Sequence, residues 1–246
     1  MQRAALAALG LDDWSYQLLP APPEVFADVV GGLPGAGFVG ANVTIPHKER
    51  ALALATAPTQ RARAIGAANT LSFGPDGTVV ADNTDAPGLL AALGRSVEGC
   101  RAVVLGAGGS ARAAVHALIT AKADVQVWNR NPVRARALVA DLGGRAVERL
   151  EDAELLVNCT AAGLQDRDET FKHLPIEADE VGRFAIVVDL VYAGSSDTAL
   201  IAAARTGGSA TVDGLEVLVH QGALSLQAWT GCTPPIAVMR EAARAQ

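Results

Sequence analysis

The sequence has few cysteines and no excess of basic residues. Its 246 residues include three cysteines, Cys100, Cys159 and Cys232, which are far apart and odd in number. This spacing predicts neither a disulfide framework nor a CxxC zinc site, and it favours a reducing, cytoplasmic setting. The formal net charge of −6 argues against nucleic acid as the main partner, because binding a phosphate backbone requires a basic face.

Long hydrophobic runs and two familiar catalytic patterns are also missing. No apolar run approaches the roughly 18 residues of a membrane span, so we expect no membrane partner. The opening MQRAALAALGL, followed at once by Asp12 and Asp13, predicts an amphipathic helix and not a signal peptide. Tyr16 and Tyr192 both lack a lysine four residues later, which excludes the Tyr-x-x-x-Lys pair. No Cys/His cluster suits catalytic zinc, and we expect no metal site.

What the chain does have is a glycine turn between a strand and a helix. The apolar run Ala102 to Leu105 ends in Gly106, Gly108 and Gly109, and an Ala-rich helical pattern begins at Ser110. Backbone N–H groups in such a turn can approach a phosphate, and the helix dipole favours negative charge there. The order of strand, turn and helix is what a dinucleotide fingerprint needs, although an ordinary βα turn is the alternative interpretation.

The end of the next predicted strand indicates which dinucleotide binds. Asp124 to Trp128 reads as a strand, and Asn129, Arg130, Asn131 and Arg134 follow it. An NAD site usually has an acidic residue here, which would repel a 2′-phosphate. Arginines can instead hold that phosphate through charge-assisted bonds, so the pattern favours NADP over NAD. A solvated basic loop is the alternative.

The order of predicted elements indicates an α/β fold. Strands near 102–105, 124–128, 155–158, 185–190 and 210–212 alternate with helices or loops, which predicts a parallel, doubly wound, Rossmann-type sheet. Earlier in the chain we expect strands at Trp14–Leu19 and Phe38–Val43 and a hairpin around Gly74–Gly77. Asp166–Glu180 is predicted to be a polar loop. Two tail helices, divided by Gly231 and Pro234-Pro235, are expected to return to the first region.

Lys48 and Asp85 are the candidates for chemistry. Each lies in a polar motif just after a predicted strand, where α/β folds place ligands. Lysine is rare in this chain, with only Lys48, Lys122 and Lys172, and its ammonium can change protonation where arginine cannot. A lysine and a carboxylate beside an alcohol carbon would serve hydride chemistry as a proton-transfer pair. A solvated loop lysine and an Asx-rich turn remain the alternatives, and His47 is expected to shape the loop.

Eight motifs together carry a family resemblance. NVTIPHK, AIGAANTL, DNTDAPG, VLGAGGSARA, NRN, NCTAAGL, DLVY and DGLEVLVHQGA occur in this order. The chain therefore resembles the shikimate dehydrogenase family over nearly its whole length. The resemblance implies reversible, NADP-dependent oxidation of shikimate to 3-dehydroshikimate in aromatic amino-acid biosynthesis. It also implies a smaller α/β substrate domain, residues 1–85 plus 214–246, and an NADP-binding Rossmann domain, residues 86–213.

The resemblance also implies roles for particular residues. Lys48 and Asp85 would be the catalytic pair, and Thr44, Asn69, Asp85 and Gln221 would bind substrate hydroxyls, with Tyr192 nearby. Thr160 and Gly214 would line the nicotinamide side. The residues implied for the rest of the cofactor are Gly106, Ala107, Gly108, Gly109, Ser110, Ala111, Asn129, Arg130 and Asn131, to which the charge argument adds Arg134.

The chain departs from the family pattern at several positions. Asn131 replaces a usual threonine, Leu164 a usual methionine and Gly194 a usual proline. No residue matches the family's first strand or the Ser-x-Ser segment whose hydroxyls hold the substrate carboxylate, so we expect the natural protein to start upstream of Met1. Two alternatives stay open: a quinate/shikimate enzyme that also accepts NAD, and a truncated remnant that binds NADP with little turnover. A homodimer is one option for the assembly.

Overall fold

The computed structural model describes residues 1–192 and 196–245. A small mixed sheet contains β1 (Gly40–Asn42), β2 (Ala57–Pro58), β3 (Thr70–Phe73) and β4 (Val79–Asp82), in the order β1-β3-β4-β2. β3 pairs antiparallel with both β1 and β4, and β4 pairs parallel with β2. The predicted hairpin around Gly74–Gly77 is therefore confirmed as the connection between β3 and β4.

The second half of the chain forms a six-stranded sheet in which every pairing is parallel. The strands are β5 (Arg101–Leu105), β6 (Asp124–Trp128), β7 (Arg145–Ala146), β8 (Leu155–Asn158), β9 (Ile186–Asp189) and β10 (Ala210–Val212). Their order in the sheet is β10-β9-β8-β5-β6-β7. The order steps outward in both directions from β5 and β8, which confirms the predicted doubly wound Rossmann-type sheet.

Helices flank both sheets. In chain order they are α1 (Gln2–Ala8), α2 (Phe26–Gly32), α3 (Lys48–Leu54), α4 (Gln60–Ile65), α5 (Asp85–Leu93), α6 (Gly109–Thr120), α7 (Pro132–Leu142), α8 (Ala199–Thr206), α9 (Gly214–Thr230) and α10 (Ile236–Arg244). The main core lies between the parallel sheet and α5, α6 and α7. Small side chains such as Ala111 and Ala114 let α6 approach the sheet closely, since both are fully buried.

The tail helices contact the start of the chain, as the sequence predicts. Ala5 and Leu6 of α1 share one buried cluster with Val219 of α9 and Met239 of α10. α9 also packs along α5. The tail therefore returns to the first part of the chain, although it follows the parallel sheet in sequence.

Some predicted elements differ in the structure. The strand predicted at Trp14–Leu19 is wrong: the segment is irregular and pairs with no strand in the described residues. A strand needs a neighbour for its backbone groups, and the prolines at 20, 22 and 23 follow at once. The polar loop predicted at Asp166–Glu180 contains the 3₁₀ turn Thr170–His173 and the start of another, Ala178–Arg183. Within the described ranges, no helix combines the length and apolar character needed to cross a bilayer.

Candidate active site

Lys48 and Asp85 form an ion pair at the start of two helices. Lys48 is the first residue of α3 and Asp85 the first residue of α5. Lys48 Nζ donates to Asp85 Oδ2 over 2.7 Å, and the side chains are only 12% and 15% exposed. A solvated lysine would be neither shielded nor paired in this way. The polar motifs that contain the two residues therefore meet in space, 37 residues apart in sequence.

Asn69 holds the second oxygen of the Asp85 carboxylate. Its Nδ2 lies 2.8 Å from Asp85 Oδ1 and 2.9 Å from Gln221 Oε1. Thr84 Oγ1 is also 2.9 Å from the same nitrogen. An amide nitrogen carries two hydrogens, so at most two of these three acceptors can be fully bonded at once, and each oxygen keeps a lone pair for another donor. Asn69 thus joins Asp85 to Gln221, and the oxygens of both side chains can still accept from a hydroxyl group.

A buried polar network that the sequence analysis missed supports this cluster. Ser225 Oγ lies 2.8 Å from Asn42 Nδ2 and 2.8 Å from Thr70 Oγ1. Tyr16 donates its hydroxyl to Asn42 Oδ1 over 3.1 Å. Ser225 follows Gln221 by one helical turn on α9, so the i, i+4 spacing could have indicated a shared face. Tyr16 had no such signal, because it lies in an irregular segment.

Tyr192 is exposed shortly after the end of β9, and Thr44 lies in a turn beside Lys48. Burial, and next the charge of Tyr192, raise the pKa of Tyr16. Thr44 is exposed, and its carbonyl accepts the His47 N–H over 2.9 Å. In the described part of the chain the Thr44 side chain makes no hydrogen bond to the Lys48–Asp85 pair. His47 stacks on Phe26 and bonds the Ala21 carbonyl, so it shapes the loop.

The glycine turn has the geometry of an anion site. Gly106 follows β5 with a φ of +113°, and a Cβ there would lie 3.2 Å from the carbonyl carbon of Cys159. Gly108 is the N-cap of α6. The first N–H groups of a helix have no acceptor within the helix, so those of Gly109, Ser110 and Ala111 can bind a phosphate. The backbone around Ala107 therefore suits a pyrophosphate.

The same turn contacts the ion pair. Ser110 Oγ lies 2.9 Å from Lys48 Nζ. A Cβ on Gly109 would lie 2.8 Å from the Cβ of Lys48, closer than real side chains approach. The turn that suits a pyrophosphate and the pair that suits proton transfer therefore belong to one site.

The basic segment after β6 reaches the glycine turn. Asn131 caps α7 by accepting the Val133 N–H at Oδ1 over 3.0 Å, which leaves its Nδ2 as a donor. Asn129 Nδ2 donates to the Asn131 carbonyl, and Arg134 contacts the Ala107 carbonyl at 3.4 Å. Among the residues that the structure describes, no carboxylate pairs with Arg130 or Arg134. Two exposed guanidinium groups are thus available to a phosphate.

Thr160 and Gly214 lie at the carboxyl edge of the parallel sheet: Thr160 follows β8, and Gly214 follows the edge strand β10. The Thr160 backbone N–H and hydroxyl both donate to Asn158 Oδ1, over 3.0 and 2.7 Å. Gly214 begins α9, and a Cβ there would lie 2.7 Å from the Val191 carbonyl oxygen. Glycine is therefore required at the point where α9 meets the end of β9.

Comparison with known proteins decides the family. Three family models match: the shikimate dehydrogenase substrate binding domain at residues 1–71, the shikimate/quinate 5-dehydrogenase at 89–163 and the shikimate 5′-dehydrogenase C-terminal domain at 214–244. A shikimate dehydrogenase (NADP(+)) of Methylobacterium radiotolerans is 46% identical over 240 residues, covering 90% of this chain and 83% of that protein. The chain belongs to the shikimate dehydrogenase family.

Solved structures agree with this assignment. Shikimate 5-dehydrogenase from Thermus thermophilus, in complex with NADP(H) and shikimate, is 40% identical with a TM-score of 0.87, covering 99% of this chain and 92% of that one. A ligand-free 5-ketofructose reductase of Gluconobacter sp. strain CHM43 is 30% identical with a TM-score of 0.83, covering 99% and 91%. Proteins named for different substrates therefore share this shikimate dehydrogenase fold, and the substrate must be argued from the site.

Two of the departures from the family pattern fall outside the ion-pair cluster. Leu164 is exposed, and the amide of Asn131 replaces a hydroxyl at an exposed helix cap. These two substitutions leave the contacts around Lys48 and Asp85 intact. The third departure, Gly194, lies outside the described residues.

Proposed function

We propose that this protein catalyses the reversible, NADP-dependent oxidation of shikimate to 3-dehydroshikimate, a step of aromatic amino-acid biosynthesis. One observation carries the proposal: the shielded Lys48–Asp85 pair, with atoms 2.7 Å apart, lies against the turn that suits a pyrophosphate. The relatives named above as NADP-dependent shikimate dehydrogenases support both the cofactor and the reaction.

The residues fit NADP in three places. The first turn of α6 supplies N–H donors for the pyrophosphate, and Arg130 and Arg134 supply positive charge for the 2′-phosphate. Thr160 and Gly214 would line the nicotinamide side. A bound NADP would supply the acceptor for the hydride that leaves the alcohol carbon. We assign residues 86–213 to this NADP-binding domain.

We assign residues 1–85 and 214–246 to the substrate domain. The cluster that joins α1 to α9 and α10 supports this discontinuous unit. Asp85, Asn69 and Gln221 would hold substrate hydroxyls, because Asn69 Nδ2 brings the carboxylate oxygen of Asp85 and the amide oxygen of Gln221 together. Thr44 and Tyr192 would add contacts from the turn beside Lys48 and from the end of β9.

The proton is handled by Lys48 and Asp85. As the hydride leaves the carbon, the substrate hydroxyl loses its proton to Lys48 Nζ, which accepts it in the neutral amine form. Asp85 Oδ2 bonds the ammonium that this forms and so favours the transfer. In the reverse direction the Lys48 ammonium returns the proton to the carbonyl oxygen. Asn69, bonded to Asp85 Oδ1, keeps the carboxylate oriented toward the lysine throughout.

Location and assembly remain predictions. The three cysteines are free thiols, which supports a cytoplasmic location. The acidic net charge supports the absence of a nucleic-acid partner. A homodimer is the assembly that we would test first, by sedimentation.

Initial rates of the purified protein test the proposed function. We would follow formation of the reduced cofactor, NADPH or NADH, with shikimate and with quinate, each with NADP and with NAD. The account predicts turnover that is fastest with shikimate and NADP. Equal rates with NAD would favour a quinate/shikimate enzyme of broader cofactor use. NADP binding without turnover of either substrate would contradict the proposed reaction.

A further inference from the structure

The first turn of α6 makes three successive contacts with the substrate side of the molecule. Gly109 faces the Cβ of Lys48, and Ser110 Oγ lies 2.9 Å from Lys48 Nζ. Arg112 donates from Nε to the Ile65 carbonyl over 2.6 Å. The contact therefore extends along a full turn of the helix, and it fixes the position of Ser110 relative to Lys48.

Lys48 is restrained along its whole length by these neighbours. Its backbone carbonyl accepts the Ala68 N–H over 2.8 Å. Its Cβ has room only because residue 109 is a glycine. Its ammonium is bound at Asp85 Oδ2 and Ser110 Oγ. A lysine side chain normally has many rotamers, so this restraint selects one orientation of the ammonium.

The two contacts of the Lys48 ammonium determine where its remaining N–H donor points. A protonated lysine has three N–H donors in a tetrahedral arrangement. Asp85 takes one and Ser110 takes another, so a single N–H direction is left. Without the Ser110 hydroxyl, the ammonium could rotate about the Asp85 bond and the remaining donor would have no defined direction.

We propose that Ser110 is a positioning residue for Lys48. Its hydroxyl fixes the Lys48 ammonium so that the third N–H of the ammonium faces the reacting substrate oxygen. This rests on the proposed function. It also divides the roles of Ser110, since the backbone N–H serves the cofactor phosphate and the side chain serves the catalytic lysine. Through this residue, the cofactor-binding helix sets the geometry of proton transfer.

Substitutions at Ser110 separate the two roles. Ser110→Ala removes the hydroxyl but keeps the backbone N–H, and alanine is a good helix former. Ser110→Cys keeps the size with a weak acceptor, and Ser110→Thr keeps the hydroxyl. We expect kcat to fall about tenfold or more in the alanine and cysteine variants, as for loss of a hydrogen bond to a charged group. The threonine variant should stay near wild type.

NADP affinity and a control variant sharpen this test. The dissociation constant for NADP should be unchanged in Ser110→Ala, since the phosphate donors are retained. Ser96→Ala, at an exposed serine of the same domain, should leave kcat and KM unchanged. Wild-type kcat in both Ser110→Ala and Ser110→Cys would overturn the proposal, as would a threonine variant as slow as alanine.

Lysine reactivity provides a readout that does not need turnover. The chain has three lysines, and Lys122 and Lys172 are largely exposed, so they serve as internal standards during reductive methylation. We expect Lys48 to react slowly in the wild-type protein and several-fold faster, relative to the other two, in Ser110→Ala. Equal relative rates in the two proteins would overturn the proposal. If Lys48 is methylated faster in Ser110→Ala but the wild-type protein does not oxidise shikimate, the proposed function fails while the restraint of Lys48 by Ser110 is supported.

Discussion

Asn69 bonds the one carboxylate oxygen of Asp85 that Lys48 does not use. Its Nδ2 is 2.8 Å from Asp85 Oδ1, while Lys48 Nζ is 2.7 Å from Oδ2. Its Oδ1 accepts the buried Thr84 N–H over 2.7 Å. A single amide therefore orients the carboxylate and satisfies the backbone just before α5, so its loss should affect both catalysis and stability.

We expect Asn69→Ala to lower the free energy of unfolding by about 1–3 kcal/mol, because it leaves a buried N–H without an acceptor. Turnover should fall as well, since Asp85 loses its second bond. Urea denaturation and initial rates on the same preparation check the two effects. A variant with unchanged stability would show that water replaces the amide oxygen and that Thr84 needs no side-chain partner.

Arg130→Ala should weaken NADP binding by roughly ten- to a hundredfold, the effect expected for one or two charged hydrogen bonds. NAD binding should hardly change, because NAD lacks the 2′-phosphate. Fluorescence titration with both cofactors measures this difference. Arg136→Ala is the matched control on α7, as Arg136 lies 4.0 Å from Glu148 in an exposed pair. Equal losses for NAD and NADP in Arg130→Ala would contradict the assignment.

Asp189 should make stability depend on pH. It is 0% exposed, and burial raises its pKa to about 6, although bonds from Thr198, Val191 and Asn158 partly oppose this. The native state thus binds the proton more tightly than the unfolded chain. The resulting stabilisation is full below the unfolded value of 3.8 and is lost as the pH rises through about 6.

Asp189→Asn should remove this dependence, because the amide does not titrate and can keep bonds to its neighbours. As the pH rises from about 4 to above 6, the wild-type protein should therefore lose stability relative to the variant, by up to about 3 kcal/mol of unfolding free energy. Thermal melts across this pH range give the comparison. Parallel stability profiles for the two proteins would show that the charge on Asp189 has no such effect.

Gly214→Ala should destabilise the protein, because the added Cβ would lie 2.7 Å from the Val191 carbonyl oxygen, where backbone must shift. On the proposed assignment of Gly214 to the nicotinamide side, we expect a rise in KM for NADP together with a lower melting temperature. Gly31→Ala in α2 is the control, since a Cβ there meets nothing within 4 Å. An unchanged KM in Gly214→Ala would remove this residue from the cofactor site.

The parallel sheet could be predicted because its strands are buried on both faces. Strands β5, β6 and β8 are short, mostly apolar segments, and their predicted limits agree with the structure within one residue. The segment Trp14–Leu19 had a similar pattern, yet a strand exists only where a partner strand runs beside it. That partner is a matter of tertiary structure, which local composition does not encode.

Motifs indicated the ion pair, but not what surrounds it. Lys48 and Asp85 could be selected because each polar motif follows a strand and lysine is rare. The contact of Lys48 with Ser110 spans 62 residues and depends on how the first turn of α6 meets α3. The buried Ser225 and the amide of Asn42 likewise meet only after α9 has returned to the small sheet, so no local pattern could indicate their contact.

Turnover by Lys48→Ala tests the central claim most directly, with Lys172→Ala as control because that side chain is 68% exposed. We would measure kcat, KM for shikimate and the melting temperature of both variants. The account predicts a kcat about 10²–10⁴-fold lower for Lys48→Ala, with KM and melting temperature little changed, and a wild-type kcat for Lys172→Ala. A Lys48→Ala variant within a few-fold of wild-type turnover would contradict the account.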